Sequence, residues 1–424
     1  MLNKSLSLFL FAIMVTLVSC ETRFESDDVN LSVEEEILHS VSLEQAIDVA
    51  NNYVLENDII IPTRGRALAI EKAYTIKDRG TTPIVHAINY KDGGFALISA
   101  DNRLTPVLAY SDKGEFAYSE ETAPLGLRAW MESVRNMIKE ATVKEQEPAP
   151  GIAAVWSLFS SDPIDYLTRS QIPDEWPYPE ADTIVGPLIT DSWHQYSPYN
   201  DYLTPALHFN GYTYVGPYTP LVGCLQLSVA RVMRYNEYPT SFSWNNMPDD
   251  EPQTTTTKYY LKNVHDNVKS YAQDNGFYVG YYYSPQSVSV GENFPIDEFM
   301  ADQYGYIAAE EFPYTRFYYE DIRRDIISYQ LPCIISGYSS DDEYTRMGHV
   351  WICDGYHYNF FYTDIPGQDP EGIKTTHLHY CWGMTNCSSD GWYYSTDYTL
   401  YNLNYIYNMK LTRHISPIDY WEFE

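Results

Sequence analysis

The pattern of hydrophobic and polar positions begins with a largely apolar run, Leu6–Val18, that follows Lys4. A basic start and an apolar run too short to span a bilayer predict an export signal over residues 1–20. The run ends at Cys20, as in a bacterial lipoprotein signal, so we expect lipid on Cys20 to anchor the protein. The alternative is an ordinary signal peptide. With the lipid anchor we expect a bacterial envelope location, at the outer membrane or cell surface, or release after processing.

After a polar, acidic tether at residues 21–40, the pattern alternates between helical and strand periods. Ser42 and Gln45 have the spacing of a capping box and begin a helical pattern. Alternating residues then predict strands, and a second helical stripe follows. These elements predict a small α+β domain over residues 41–145, and the proline-rich composition of residues 146–185 predicts a linker. The predicted strands cover residues 69–76, 84–90, 95–99 and 107–111, and the second helix covers residues 123–141.

From residue 186 onward, helical patterns come first and strand patterns follow. The clearest helix runs from Cys224 to Tyr238 without glycine or proline and stops before Pro239. This order predicts an α+β domain over residues 186–424, with a helical part and an antiparallel sheet. Further helices are predicted near residues 255–275 and 320–329, and strands at residues 333–338, 349–354, 376–382, 391–394 and 405–411.

Composition narrows the class of protein without identifying it. The formal net charge of −31 argues against nucleic acid as a partner and against electrostatic docking on anionic lipid, because both need clustered cations. The chain is rich in tyrosine, with 41 residues, which we attribute to packing in half-buried sheets.

Cys224 follows Gly223 at the predicted start of the long helix. Backbone N–H groups and the helix dipole at such a position favour a thiolate, which makes Cys224 a candidate nucleophile. Gly223 leaves room for close approach of a substrate backbone. The alternative is an inert, buried cysteine.

His349 follows Gly348 and begins an apolar strand, far from Cys224 in sequence. A cysteine followed at such a distance by a histidine is typical of papain-like proteases. The imidazole would take the thiol proton and pass one to the leaving amine. Gln195, in a loop ahead of Cys224, is a candidate amide donor that would hold the oxyanion together with the Cys224 N–H.

Several phrases occur in an order typical of one protease family. In the C-terminal half they are WHQYSPYNDYLTP, the GC helix ending in MRYNEYP, FSWNNMP, the pair LPCIISGYS and GHVWICDGY, and HLHYCWG with SDGWYY. They resemble the streptopain-type cysteine proteases, a bacterial branch of the papain-like fold. The segment ALISADNRLTPVLAYSDKGEF, residues 96–116, resembles the inhibitory prodomain of that family.

The resemblance implies a papain-like protease domain that needs no cofactor or metal, preceded by an inhibitory prodomain at residues 41–145. It implies Cys224 as nucleophile, His349 as proton carrier and Gln195 as oxyanion donor. An aromatic residue orients the histidine in this family, and we assign that role to Trp382, with Tyr380 as the alternative. The chain departs from the family in two places: Gln226 replaces an alanine, and His-Tyr-Cys-Trp-Gly-Met at residues 379–384 replaces Asn-Trp-Gly-Trp-Gly-Gly.

Two further readings concern metal and disulfides. His377, His379 and Cys381 alternate along one strand face and could ligate zinc, but we favour packing because no fourth ligand is evident nearby. An exported protein can form disulfides, and the pairing is left open, although Cys333 and Cys353 lie in apolar runs that favour buried thiols. The cysteines concerned are Cys333, Cys353, Cys381 and Cys387.

Together these observations predict an exported, lipid-anchored cysteine endopeptidase made as a zymogen. Its partners would be polypeptide substrates and its own prodomain. One alternative is a catalytically inactive surface binding protein on the same scaffold, which the departures at residues 379–384 motivate. Acyl transfer to an amine, as in transglutaminases, shares the order of cysteine and histidine, but the phrases quoted above do not resemble that class.

Overall fold

The structure is a computed structural model that describes most of the chain from residue 38 onward. The export signal with Cys20, the tether up to residue 37 and Cys387 lie outside the described residues. No helix in the described part combines the length and apolar character needed to cross a membrane. The described residues are 38–56, 69–78, 81–160, 183–209, 213–277, 279–282, 287–290, 294–306, 310–313, 319–338, 348–363, 371–383, 388–395 and 407–417.

The N-terminal part, from His39 to residue 160, is an antiparallel meander with helices on both faces. Its strands are β1 (Ile70–Lys77), β2 (Pro83–Tyr90), β3 (Phe95–Ser99) and β4 (Val107–Ser111), and its helices are α1 (Leu43–Glu56), α2 (Leu125–Val143) and α3 (Pro150–Leu158). Strands β3 and β4 are buried at every position. Ile98 packs towards α1, whereas Leu97 packs on the opposite face with Leu127 of α2. Alternation therefore fills two cores from one sheet.

Helix α3 lies inside the segment predicted as a linker. Trp156 donates its indole N–H to the carbonyl of Leu104 at 2.8 Å, and Asn52 donates to the carbonyl of Phe159 at 3.0 Å. Phe159 is buried against Tyr53, with ring centroids 5.2 Å apart. Residues 150–160 thus pack as part of the N-terminal core, although prolines before and after them suggested an open chain.

The C-terminal part packs helices on both faces of a long antiparallel sheet. Its helices are α4 (Cys224–Asn236), α5 (Thr255–Asp274), α6 (Ile296–Tyr304) and α7 (Tyr319–Arg324), and α7 continues as a π-helical turn over Asp325–Tyr329. Helices α4, α5 and α6 lie on one face of the sheet and α7 lies on the other. Its strands are β5 (Thr183–Val185), β6 (Ala206–Phe209), β7 (Tyr214–Tyr218), β8 (Val279–Tyr282), β9 (Ser287–Val290), β10 (Glu310–Pro313), β11 (Cys333–Tyr338), β12 (Gly348–Thr363), β13 (Glu371–Cys381), β14 (Gly391–Ser395) and β15 (Tyr407–Arg413). Strands β7-β6-β8-β9 form a separate small sheet.

The two parts share one sheet. Strand β4 of the N-terminal part pairs antiparallel with β14, with Tyr110 opposite Trp392 and Ala109 opposite Tyr393. In the described residues the sheet runs β1-β2-β3-β4-β14-β13-β12-β11-β15-β10, and β5 is added beside β12. The observed α+β class with an antiparallel sheet agrees with the prediction, whereas the pairing between the parts was not anticipated.

Strands β12 and β13 carry an irregularity that matters for the chemistry. Cys353 pairs with Tyr380 and Gly355 pairs with His379, so Asp354 has no partner residue opposite it. Such a bulge bends a strand and redirects the extra side chain. Asp354 is fully buried as a result.

Candidate active site

Helix α4 begins at Cys224 and ends at Asn236, two residues short of the prediction. Its N-cap, Gly223, has φ +99°, a conformation that favours glycine. Residues 225–233 are all buried, as expected of a helix that is apolar around most of its circumference. The start of the helix therefore holds Cys224 on a rigid element.

The thiol of Cys224 lies beside the strand that carries His349. Its sulfur accepts hydrogen bonds from the backbone N–H groups of Val350 and Leu225. Burial nevertheless raises the pKa of the Cys224 thiol, and the N–H groups oppose this only in part. The N–H groups at the helix N-terminus act in the expected direction, because those of Leu225 and Cys224 lower the pKa, but removal of water outweighs them here.

The His349 ring is held at two points. Its Nε2 lies 3.2 Å from the carbonyl oxygen of Trp382, and its ring stacks on Trp351 with centroids 6.0 Å apart and planes at 16°. A carbonyl can only accept, so Nε2 carries the hydrogen, and in the neutral ring Nδ1 is left as an acceptor. Burial lowers the pKa of His349 to about 4, the Trp382 carbonyl opposes this, and Arg128 lowers it further.

Trp382 contacts the histidine through its backbone. Its carbonyl accepts from His349, and its N–H donates to Asp390 Oδ1 at 2.7 Å. Its indole packs with Trp351, at a centroid distance of 5.9 Å, and edge-on against Tyr393. Sequence reasoning missed Trp351, although period-two alternation puts it on the same strand face as His349.

Gln195 lies near this group. Its carbonyl accepts from the N–H of Val222 at 3.0 Å, two residues before Cys224. A Cβ added to Gly383 would lie 3.8 Å from Gln195 Nε2, so the amide approaches the residue after Trp382. The fold therefore gathers all four predicted site residues, Cys224, His349, Gln195 and Trp382, at the junction of α4 with strands β12 and β13.

A buried arginine links the loops around the site. Arg231 on α4 donates from Nε to Asp191 Oδ1 at 2.8 Å and from Nη2 to the Asp191 carbonyl at 2.7 Å. Its Nη1 lies 4.0 Å from Asp390 Oδ2. Burial raises the pKa of Asp390 to about 6, and Arg231 opposes that shift. Arg231 thus joins the segment before Gln195 to the segment that holds Trp382. An arginine within the apolar, fully buried stretch of the helix was the available signal.

The first turns of α2, from the N-terminal part, cover the indoles beside His349. A Cβ on Gly126 would meet Trp382 Cζ3 at 2.4 Å and Trp351 Cδ2 at 3.1 Å. Glycine is required here for close packing, since any side chain would collide with a ring. Trp130, one turn on, donates its indole N–H to the Tyr394 carbonyl at 3.2 Å.

Gln226, the residue that departs from the family helix, is fully buried behind Gly223. A Cβ on Gly223 would lie 2.0 Å from Gln226 Oε1. The glutamine therefore fills the space that we expected Gly223 to leave for a substrate. Neither atom of its amide has a hydrogen-bond partner among the described residues.

The zinc hypothesis for three alternating residues needs revision. His377 Nε2 lies 3.2 Å from the Val107 carbonyl, so this ring faces the N-terminal part, whereas Asp354 joins His379 and Cys381. Among the described residues, Cys224, Cys333, Cys353 and Cys381 are not joined in disulfides. Cys333 and Cys353 face each other across β11 and β12 as buried thiols, as predicted.

Comparison with known proteins agrees with this organisation. Residues 38–138 match the Spi protease inhibitor family, and residues 193–393 match the peptidase C10 family. The thiol protease/hemagglutinin PrtT of Porphyromonas gingivalis is 21% identical over 383 residues, which cover 83% of this chain and 38% of that protein. The chain thus spans well under half the length of this curated relative.

The fold matches a solved structure that contains both parts. A prointerpain A fragment from Prevotella intermedia superposes with a TM-score of 0.53 at 18% identity, covering 82% of this chain and 99% of the fragment. The order of the two matched families agrees with the order of the two parts described above. The chain thus contains a domain of the peptidase C10, or streptopain, family of cysteine-type peptidases, preceded by a prodomain that resembles the Spi protease inhibitor.

Proposed function

We propose that this protein is an exported, lipid-anchored cysteine endopeptidase made as a zymogen. The observation that carries the proposal is the arrangement at His349: Nε2–H is held by the Trp382 carbonyl, Nδ1 is left to accept, and the Cys224 sulfur bonds to the N–H of the next residue, Val350. A thiol beside an imidazole of this tautomer can lose its proton to Nδ1.

The reaction follows from these positions. Cys224 Sγ attacks the peptide carbonyl as its proton passes to His349 Nδ1. The Cys224 N–H and the Gln195 amide stabilise the oxyanion. His349 then protonates the leaving amine, which breaks the C–N bond and leaves a thioester. A water molecule, deprotonated by His349, hydrolyses the thioester and restores the thiol.

The covered site accounts for latency. With α2 packed on Trp382 and Trp351, burial raises the pKa of Cys224 and lowers that of His349 to about 4. Both shifts favour the neutral pair, so the nucleophile stays protonated. Removal of the prodomain returns water to the site and reduces the cost of separating charge.

The test compares wild type, Cys224→Ala and Cys353→Ala, the last being a buried thiol away from the site. Each protein is expressed in full, shortened products are sequenced from the N-terminus, and casein hydrolysis is measured. We expect processing and hydrolysis in wild type and Cys353→Ala, and neither in Cys224→Ala. Processed, active Cys224→Ala would refute the proposal.

The same preparation distinguishes the inactive binding protein. After trypsin removes the prodomain, an epoxysuccinyl inhibitor should label Cys224 stoichiometrically. Inertness of the thiol in folded, processed protein would favour the binding protein. Lipid anchoring is tested separately by incorporation of labelled palmitate, which should disappear in Cys20→Ala.

A further inference from the structure

A second group of metal-ligating side chains lies on the same strand pair as His349, and the proposed peptidase mechanism does not use it. Asp354, His379 and Cys381 are all buried, and their ligand atoms all lie within 4.8 Å of one another. His379 Nδ1 is 2.6 Å from Asp354 Oδ1, and Cys381 Sγ is 3.6 Å from the same oxygen. We call these three residues the Asp-His-Cys cluster.

The backbone is shaped to bring the cluster together. Asp354 is the extra residue of the β12 bulge, so its carboxylate turns towards the two ligands that alternate on β13. Gly355 lies opposite His379, and a Cβ there would meet His379 Cβ and Trp392 Cη2, each at 2.7 Å. The N–H of Ile189 fixes Asp354 Oδ2 at 2.9 Å. A carboxylate oriented by such an outer bond is typical of metal sites.

Charge in this region also favours a cation. Among the described residues of this region, the buried carboxylates Asp191 and Asp390 face the buried guanidinium of Arg231, and Asp354 is a third buried carboxylate close to Asp390. Asp390 interacts electrostatically with both His379 and Asp354. Buried negative charge in excess of its partners is costly, and a divalent ion would compensate it.

The donor atoms indicate which ion. One sulfur, one imidazole nitrogen and one carboxylate oxygen suit Zn²⁺, whereas Mg²⁺ and Ca²⁺ prefer oxygen alone. Two of the three ligands, His379 and Cys381, stand where the family phrase quoted above has asparagine and glycine. The cluster is therefore a feature of this chain, because the replacements at His379 and Cys381 together supply two of its ligands.

We propose that the Asp-His-Cys cluster binds one zinc-like divalent transition-metal ion, with water or Asp390 as fourth ligand. On binding, the Cys381 thiol proton leaves to solvent and the sulfur bonds to the metal. The hydrogen that His379 Nδ1 shares with Asp354 must leave that nitrogen, so the ring becomes the Nε2–H tautomer. The ion would tie β12 to β13 one residue before Trp382, whose carbonyl holds His349.

The test uses Co²⁺ as a spectroscopic probe in the full chain carrying Cys224→Ser, which removes the active-site thiol and self-processing. We expect one Co²⁺ per chain, a thiolate-to-metal charge-transfer band and visible bands of tetrahedral intensity, all displaced by Zn²⁺. Because outer-shell changes already cost about 10–100-fold in metal affinity, Cys381→Ser and His379→Asn should each lose at least that much. Cys353→Ala, a thiol on the adjacent strand but outside the cluster, should keep the full spectrum.

Two results would overturn the proposal. One is the absence of a charge-transfer band in folded Cys224→Ser protein. The other is a band that survives in folded Cys381→Ser, which would assign the metal to a different sulfur. If Cys381→Ser does not fold, His379→Asn decides, since it keeps the thiol and removes the nitrogen ligand. Circular dichroism melting monitors folding of each variant, and Zn²⁺ should raise the unfolding temperature of the parent but not of His379→Asn.

Discussion

Two cysteine–histidine groups use the same pair of strands, β12 and β13, and they are arranged for different chemistry. The first adds Cys224 from α4 to His349, and the second consists of His379 and Cys381 with Asp354. In the first, a backbone carbonyl holds His349 at Nε2, so Nδ1 is left as an acceptor, which the proposed mechanism uses for the Cys224 proton. In the second, the Asp354 carboxylate accepts hydrogen bonds from His379 Nδ1–H and from the Cys381 thiol. The acceptor that faces each ring sets its tautomer, which is Nε2–H for His349 and Nδ1–H for His379 without bound metal.

The largest effect is expected when the Cys224–His349 pair is disrupted. His349→Ala removes the proton acceptor, so kcat/KM for peptide hydrolysis should fall by at least about 10³-fold after trypsin has removed the prodomain. Cys353→Ala processed in the same way is the control. Retention of more than a tenth of the activity by His349→Ala would show that another base serves Cys224.

Alkylation rates compare the reactivity of the Cys224 and Cys381 thiols directly. In processed protein with chelator present, iodoacetamide should modify Cys224 on the order of 100-fold faster than Cys381, because one thiol has a proton acceptor and access while the other is buried against a carboxylate. Peptide mass spectrometry measures both rates in one sample. Equal rates would contradict the contrast.

A smaller effect is expected when the packing of α2 over the Cys224–His349 site is loosened. Gly126→Ala puts a methyl group 2.4 Å from the Trp382 ring, and overpacking of this kind typically costs about 1–3 kcal/mol. We expect self-processing to accelerate roughly tenfold, followed as the appearance of the shortened chain on gels. Lys139→Ala, an exposed change on the same helix, should process at the wild-type rate.

The smallest effect concerns pH. His357 meets the hydroxyl of Tyr110 from the prodomain, and burial lowers its pKa to about 4. Once the prodomain has separated, we expect an ordinary pKa near 6.5. The separated state therefore binds more protons below that pH, and the prodomain is held above pH 6.5 and progressively released as the pH falls towards 4.

Between pH 7 and pH 6 this linkage weakens prodomain association by about threefold. Size-exclusion chromatography of trypsin-nicked protein at the two pH values measures it. His357→Gln should be less sensitive to pH by the same factor. An unchanged pH dependence in that variant would assign the effect to other groups.

Local patterns predicted much of the fold. Strands β3 and β4 and the start of α4 occur where the short apolar runs and the Gly-Cys phrase placed them, because both faces of these strands and most of the helix are buried. Helix α3 was missed because proline composition was taken as a linker. The β4–β14 pairing was missed because no local period reports which strand edges meet.

The candidate site was likewise predicted only in part. The phrases brought Cys224, His349, Gln195 and Trp382 to attention, but the roles of Trp382 and Asp354 depend on backbone geometry. Trp382 acts through its carbonyl, which no residue type reveals. Asp354 reaches the Asp-His-Cys cluster through a one-residue bulge, whereas sequence alternation alone had suggested His377 as the third ligand.

The sheet shared by prodomain and protease has a consequence for the mature enzyme. While β4 is present, Trp392 and Tyr393 of β14 have a neighbouring strand. Removal of the prodomain would leave Gly391–Ser395 as an exposed sheet edge whose backbone donors and acceptors face water. An exposed sheet edge can pair with a strand of another molecule, so loss of the prodomain would make the enzyme prone to edge-to-edge aggregation.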